Sequence, residues 1–463
     1  MEDLAFLTAS ELAPLIRTKQ LSPVELTKHI LNRIDTVDQT LYSYITPLHG
    51  LAIKQAREAE KDIMQGKYKG PLHGIPIGIK DNFYTEGIRT TAGSKLFINF
   101  IPNKNATTVN KLLMAGGILI GKLNMHELAL GSSGTNLTFG TTRNPWNSHY
   151  MPGGSSSGSS AALAAGLATL ATGTDTFGSI RLPAAMSGIY GIKPTYGLIS
   201  THGIFPSAWS LDTAGPMARS ISDLASMLQV MAGFDSNDPA SLNVPIPHYI
   251  EDLNKGIEGV RIGIPTYYLN GLDTDVENLF QNAINILTNL GAEIMEITIP
   301  ELSMTTFTGY TSISGEAATF HYDWLQNHAD DYATDNRSFL LAGTLTTAPQ
   351  YVKAQQGRRI MVKAIKNAFM NVDIILGPTI PITTPAFAQQ WVNQNLEIIR
   401  RCLPFTAPVN LTGIPSLSVP MGFDQNGLPT GMQFIGTHLS EKRLLQVGYA
   451  WEKINPFRFQ INS

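Results

Sequence analysis

Two serine-bearing stretches and one lysine carry the residue types that acyl-transfer chemistry needs. Serines and glycines fill Met151–Ser160, and Gly173–Arg181 ends in Gly-Ser-Ile-Arg. A serine hydroxyl is a poor nucleophile unless a base assists it. His149 is close in sequence, and Lys80 is the other candidate base, although a lysine must be buried to lose its proton near neutral pH. These residues predict a serine hydrolase site, while a flexible linker and a surface lysine remain open.

An apolar strand is expected to deliver Lys80. In Gly74–Lys80, isoleucines alternate with small residues, which is typical of a strand. An Ala-rich helix is expected to follow the serine tract. Helices and strands then alternate to the C-terminus, which favours an α/β fold with a mainly parallel sheet. The predicted elements are helices at 107–115, 222–233 and 275–291 and beyond Ser440, strands at 118–120, 260–264, 293–299 and 373–376, and a hairpin joining 417–423 to 431–435.

Composition excludes several classes of function. The 463 residues carry a formal charge of −3, which offers no basic footprint for nucleic acid or an anionic membrane. The single cysteine, Cys402, leaves no internal disulfide, and the histidines show no spacing typical of a metal site. The first residues are acidic where a signal peptide is basic, and the apolar run at 161–171 is too short to span a bilayer. We therefore expect a cytoplasmic protein.

Several motifs together resemble the amidase signature family. They are Leu72-His-Gly-Ile-Pro-Ile-Gly-Ile-Lys-Asp81, Gly121-Lys-Leu-Asn-Met-His-Glu-Leu128, Arg143-Asn-Pro-Trp146, the serine tract, Gly-Ser-Ile-Arg181, Asp212-Thr-Ala-Gly-Pro-Met-Ala-Arg219 and Asn410-Leu-Thr-Gly-Ile-Pro415. The resemblance covers nearly the whole chain. It implies one domain over 1–463, with a twisted mixed sheet between helices on both faces. A signature core would occupy about 70–235, and residues 236–463 would complete the sheet and the substrate pocket.

The resemblance also implies a catalytic triad and its mechanism. The family's lysine falls on Lys80, its bridging serine, held in a cis peptide, on Ser155, and its nucleophile on Ser179. Backbone N–H groups of Thr176, Phe177, Gly178 and Ser179 would form the oxyanion hole. Met125, Phe177 and Arg181 are the candidate substrate contacts. An amide would be cleaved through an acyl-enzyme, with no metal and no organic cofactor.

Two positions near the site depart from the family pattern. Ser157 and Phe177 stand where the family usually has glycine, and a phenylalanine would be strained if that position needs a positive φ. Arg181 fits either a substrate carboxylate or a structural partner such as Asp175, and the second interpretation is favoured because buried arginines usually have a fixed partner. The segment 305–358 is expected to line part of the pocket, with three aromatic candidates that fit the core equally well: Tyr310, Tyr322 and Trp324.

Three alternatives remain open. Gly154–Gly158 also matches the G-x-S-x-G nucleophile elbow, with Ser156 as nucleophile, although the preceding residues make a poor strand. Within the family, the chain is predicted to be an independent amidase acting on a small-molecule amide. The alternatives are the glutaminase subunit of a tRNA-dependent amidotransferase and a non-catalytic relative. A homodimer is left open.

Overall fold

One large mixed sheet runs through the protein. The computed structural model describes residues 3–457 and residue 459. The strands are β1 (Tyr44–Pro47), β2 (Pro76–Lys80), β3 (Ile118–Leu123), β4 (Leu170–Asp175), β5 (Tyr190–Lys193), β6 (Thr213–Ala218), β7 (Arg261–Pro265), β8 (Glu293–Ile297), β9 (Ile374–Pro378), β10 (Ser416–Phe423) and β11 (Pro429–Ile435). They lie side by side in the order β1-β3-β2-β4-β6-β5-β10-β11-β9-β7-β8.

Helices surround this sheet. They are α1 (Ala9–Arg17), α2 (Pro23–Leu41), α3 (His49–Met64), α4 (Thr107–Met114), α5 (Ser157–Ala164), α6 (Arg181–Ser187), α7 (Ile221–Met231), α8 (Thr274–Asn289), α9 (Thr305–His328), α10 (Thr334–Thr344), α11 (Ala348–Ala368), α12 (Trp391–Thr412) and α13 (Glu441–Ile454). Over the residues that the structure describes, none of them combines the length and hydrophobicity needed to cross a bilayer.

The predicted α/β fold with a mixed sheet is confirmed, but antiparallel pairing is more extensive than expected. Strands pair in parallel near the two ends, where β2 lies between β3 and β4, and β7 lies between β8 and β9. The central strands, from β4 through β6, β5, β10 and β11 to β9, pair antiparallel. Both halves of the chain contribute to this sheet, and the division near residue 235 stays a prediction.

The Ser/Gly tract forms part of the core. All eight residues of α5 are buried, and a Cβ added at Gly158 would lie 2.3 Å from the carbonyl oxygen of Ser43. Only small side chains allow a helix to approach neighbouring backbone this closely. The tract is therefore an ordered turn and a buried helix, and the linker interpretation is wrong.

Candidate active site

Three hydroxyl groups surround the buried amine of Lys80, the last residue of β2. Its Nζ atom lies 2.8 Å from Ser155 Oγ, 2.9 Å from Ser156 Oγ and 2.8 Å from Thr174 Oγ1. The lysine is fully buried, as are the three hydroxyl-bearing residues, apart from slight exposure of Thr174. The sequence predicts the strand that ends in Lys80, and the structure directs this side chain toward the turn that begins α5.

Burial changes the protonation of this lysine. It lowers the pKa of Lys80 from 10.5 to about 7, although the charges of Asp175 and Asp212 oppose the shift. A neutral amine has two N–H donors and one lone pair, so it can receive a proton from one of the surrounding hydroxyls. At neutral pH a substantial fraction of Lys80 is therefore able to act as a base.

The turn before α5 presents Ser155 to Lys80. The Gly154–Ser155 peptide bond is cis, and the Ser155 carbonyl accepts a hydrogen bond of 3.1 Å from the backbone N–H of His126. Gly153 has φ +79°, and a Cβ there would lie 2.6 Å from the Cα of Pro183. A larger residue at position 153 would both clash and adopt an unfavourable backbone conformation.

Ser179 is the predicted triad residue that reaches a cavity. Its side chain is half-buried, and the Ser156 N–H donates to its carbonyl oxygen at 3.3 Å, which places the two serine segments side by side. The cavity is largely apolar; it is lined by Ala129, Leu130, Gly131, Ser132, Thr176, Phe177, Ser179, Leu182, Tyr310, Ile313, Asp335, Phe339, Asn395, Leu396, Ile399, Cys402 and Leu403. A substrate in this cavity would contact Ser179 directly.

The loop between β4 and α6 differs from the expected oxyanion hole at one position. The N–H of Gly178 donates to Asp175 Oδ1 at 2.7 Å, so this amide serves the carboxylate rather than an oxyanion. The remaining candidates are the amides of Thr176, Phe177 and Ser179. Gly178 also carries the positive φ of this loop, +113°. Phe177 has no positive φ, and the strain considered for it is therefore absent.

Arg181 forms its hydrogen bonds with other residues of the same chain. Its guanidinium is fully buried and contacts both carboxylate oxygens of Asp175, at 3.0 and 3.1 Å. It also donates to Gln433 Oε1, the carbonyl of Thr406 and Asn410 Oδ1. This geometry supports the structural interpretation of Arg181, which does not line the Ser179 cavity.

The other sequence candidates fall in different places. Met125 is fully buried and does not line the Ser179 cavity. Tyr310 lines that cavity, whereas Tyr322 lines a separate cleft of about 670 Å³ and Trp324 packs against Phe97 at a centroid distance of 5.2 Å. These two aromatics therefore do not contact the reacting centre.

Ser157 and Ser156 have distinct surroundings. Ser157 Oγ donates to Thr142 Oγ1 at 3.2 Å, so this departure from the family pattern is accommodated beside α5. Ser156 contacts Lys80 but follows no strand, and the context that a nucleophile elbow needs is therefore missing.

Some site residues were not identified from the sequence. Thr174 accepts a hydrogen bond from Lys80 and had no role in the sequence analysis, and Asp212 accepts one from the Thr176 hydroxyl. Ser156 was considered only as an alternative nucleophile, and its contact with Lys80 was not foreseen. Residues of α12 that line the cavity are more than 200 positions from Ser179 in the sequence, and no local pattern indicates this contact.

Among the described residues, no group of three or more His, Cys, Asp or Glu side chains is placed to hold a metal ion.

The lowered pKa of Lys80 predicts a simple pH profile. Because the neutral amine is the active form, kcat/KM should rise with pH through one ionisation near pH 7 and then level off. Burial also raises the pKa of Asp212 to about 6, so Asp212→Asn is the control. The ionisation should persist in this variant and move to lower pH, because the Asp212 charge that favours protonated Lys80 is removed. A profile that keeps rising toward pH 10 would show that Lys80 is not desolvated.

Phe177 should influence substrate choice. Its ring lines the cavity and also packs against the core cluster that contains Phe405. We expect Phe177→Ala to favour bulkier acyl groups by about tenfold to two hundredfold in relative kcat/KM. Phe405→Ala, a change in the same cluster outside the cavity, should lower the melting temperature without reordering substrates. An unchanged substrate order in Phe177→Ala would show that the ring serves packing alone.

Comparison with known proteins establishes the class. A family model described as Amidase matches residues 25–445, and the chain belongs to the amidase signature family. It is therefore an enzyme of the class that hydrolyses carbon–nitrogen bonds in amides.

Particular relatives match the chain over nearly its full length. A glutamyl-tRNA(Gln) amidotransferase subunit of Geobacter sp. (strain M21) is 39% identical over 473 residues, which cover 96% of this chain and 97% of that protein. A structure described as a vestigial protein complex that reveals the origins of an s-triazine catabolic enzyme has a TM-score of 0.92 at 29% identity, covering 98% and 100% of the two chains. The peptide amidase of Stenotrophomonas maltophilia has a TM-score of 0.87 at 32% identity, covering 98% and 99%.

Proposed function

We propose that this protein cleaves a carboxylic amide through an acyl-enzyme formed on Ser179. The observation that carries the proposal is the buried Lys80 amine, which is partly neutral near pH 7 and lies 2.8 Å from Ser155 Oγ. Ser155 and Lys80 are sealed from solvent, whereas Ser179 opens onto a cavity. This arrangement suits a buried proton relay that ends at an accessible nucleophile.

The hydrogen-bond pattern favours Ser155 as the proton donor to Lys80. The Ser156 hydroxyl also lies 3.4 Å from the carbonyl of Thr174, which can accept its hydrogen. Thr174 Oγ1 accepts a second hydrogen bond, from Asn82 at 3.2 Å. With these two hydroxyls acting as acceptors for the Lys80 N–H groups, the Ser155 hydroxyl is left to donate to the lone pair.

Proton transfers between Ser179, Ser155 and Lys80 accompany each bond that forms or breaks in the proposed reaction. Ser155 gives its proton to Lys80 Nζ and receives the proton of Ser179, whose Oγ attacks the amide carbon. The amides of Thr176, Phe177 and Ser179 stabilise the tetrahedral oxyanion. The relay reverses to protonate the leaving nitrogen, the C–N bond breaks, and ammonia or an amine departs. Water repeats the sequence on the acyl-enzyme and releases the carboxylic acid.

A second candidate function is that of an amidotransferase subunit. The observation that favours it is the 39% identity, over nearly the full length, to a relative described as part of glutamyl-tRNA(Gln) amidotransferase. Such relatives support the subunit hypothesis more strongly than that of an independent enzyme. In that role the same triad would cleave an amide and pass ammonia to a partner protein.

Ammonia release by the purified chain separates these candidates. We expect the isolated protein to hydrolyse at least one compound of a panel of simple aliphatic, aryl and peptide amides, with glutamine included. Activity confined to glutamine and dependent on a co-purifying partner would instead support the subunit function. A serine-reactive fluorophosphonate should label Ser179, and a chain that neither reacts nor turns over any amide would be a non-catalytic relative.

A further inference from the structure

Helix α12 contacts the loop between β4 and α6, residues 176–180, which carries Ser179 and is called the nucleophile loop below. Thr406 Oγ1 donates to the carbonyl of Phe177 at 2.7 Å. One turn further along the helix, Asn410 Nδ2 donates to the carbonyl of Asp175 at 3.0 Å and to its Oδ1 at 2.9 Å. Both side chains are buried. Two residues of one helix thus fix the loop at its beginning and in its middle.

Asp175 connects helix α12 to the backbone amides of the loop through hydrogen bonds. Its carboxylate accepts the N–H of Gly178 at 2.7 Å and that of Ile180 at 3.2 Å. Asn410 therefore holds the same carboxylate that accepts the N–H groups of Gly178 and Ile180, the residues on either side of Ser179. Arg181, the ionic partner of Asp175, in turn donates to the carbonyl of Thr406 at 3.0 Å, which closes the network.

Close packing reinforces these hydrogen bonds. A Cβ added at Gly178 would lie 2.8 Å from the Cβ of Thr406 and 2.9 Å from its Oγ1. The loop therefore lies directly against the Thr406 side chain, with no room for a side chain at position 178. Buried contacts of this kind hold a backbone in one orientation.

We propose that Thr406 and Asn410 are positioning residues that aim the oxyanion-binding amides of the nucleophile loop. This inference rests on the proposed function, since it concerns the same site. Oxyanion stabilisation depends on donors that are already oriented before charge develops. Thr406 fixes the peptide that lies between the Phe177 and Ser179 amides, and Asn410 fixes the carboxylate that accepts the N–H of that peptide. Neither residue lines the cavity.

The same helix also shapes the substrate cavity. Asn395, Leu396, Ile399 and Leu403 line the cavity, and Thr406 and Asn410 follow on the next turns. The cavity wall and the loop support are therefore parts of one continuous element. A change at Thr406 should affect the chemical step more than the binding of the uncharged substrate, since the cavity-lining residues stay in place.

Thr406→Val tests this inference because valine keeps the shape and removes the hydroxyl. With the best amide of the panel, we expect kcat to fall about tenfold to a hundredfold while KM changes little. The affinity for a trifluoromethyl ketone with the same acyl group, which forms a tetrahedral adduct with serine, should fall in parallel. Binding of the carboxylic acid product should be unchanged, and Thr406→Ser should restore the rate.

Thr412→Val is the matched control. Thr412 lies on the same helix, and its hydroxyl donates within the helix to the carbonyl of Pro408 at 2.6 Å. If Thr406→Val equals Thr412→Val in kcat, or loses product binding as strongly as ketone binding, the positioning role is overturned. A wild-type chain that neither turns over amides nor reacts with fluorophosphonate would instead overturn the proposed function. If Thr406→Val does not fold, Thr406→Ala removes the same hydroxyl and the same comparison applies.

Discussion

Ser179→Ala should reduce amide turnover by about 10⁴-fold or more while leaving the melting temperature nearly unchanged. The hydroxyl removed is half-buried in the cavity and has little structural role. Lys80→Ala should be almost as inactive, because a proton relay fails when any member is absent. The double variant Lys80→Ala/Ser179→Ala should be scarcely slower than either single variant. Steady-state ammonia release and thermal unfolding measure both properties.

Two neighbouring serines provide the controls for this experiment. Ser157→Ala removes a hydroxyl that contacts Thr142 and not Lys80, so it should retain most of the activity. Ser156→Ala removes a hydroxyl 2.9 Å from Lys80 Nζ and should be impaired without being inactive. Mass spectrometry of the fluorophosphonate-labelled protein identifies the nucleophile itself. A label on Ser156, with Ser179→Ala still active, would require the nucleophile-elbow assignment.

Arg181→Met should lower the free energy of unfolding by about 3–5 kcal/mol, because it leaves Asp175 charged and unpaired in the interior. Burial alone would raise the pKa of Asp175, but the charge and hydrogen bonds of Arg181 outweigh that effect and hold the pKa well below its usual range. Arg181→Lys should recover little of the lost stability, since an ammonium cannot reproduce the bidentate contact with the carboxylate. Urea unfolding at neutral pH provides the measurement.

Arg400→Met is the matched control for the buried pair. Arg400 also contacts both oxygens of a carboxylate, those of Glu397 at 2.8 and 2.7 Å, but this pair is exposed at the surface. Water solvates the charges left behind there, so the change in stability should be small. Equal losses in the two variants would show that the Asp175–Arg181 pair contributes no more than a surface pair.

The acid sensitivity of the Asp175–Arg181 pair follows from the same contacts. A carboxylate whose folded pKa is depressed stabilises the protein fully above its unfolded pKa, which is 3.8 for Asp175. This contribution disappears progressively as the pH falls below that value. It is therefore constant over the range near pH 7 in which Lys80 titrates, and the two ionisations can be studied separately.

Local patterns in the sequence singled out Lys80 and the two serine stretches as candidates for the predicted relay. Lys80 ends an alternating strand, and the small residues of the serine tract allow a buried turn and helix. Asp175 and Arg181 flank one short loop, and their pairing was favoured because a buried arginine usually has a fixed partner. Resemblance to a family supplied the assignment of nucleophile and bridge, which spacing alone left open.

Other features depend on contacts between distant segments and were not predictable in this way. Strand β6 contains Gly215 and Pro216, residues that are depleted in strands, so its central place in the sheet had no local signal. Helix α12 contains Pro404 and Pro408, which ordinarily indicate the end of a helix. Its position beside the loop that carries Ser179 depends on tertiary packing between segments more than 200 residues apart.

The continuity of α12 constrains how this enzyme can adapt. Substitutions at Leu396, Ile399 or Leu403 that admit a new acyl group alter the element that also carries Thr406. In a laboratory selection for new substrates, such variants should accept a wider range of substrates and also have a lower kcat. Ile313 on α9 and Phe339 on α10 line the same cavity from other helices. Libraries confined to these two positions should broaden the range of accepted substrates while preserving turnover.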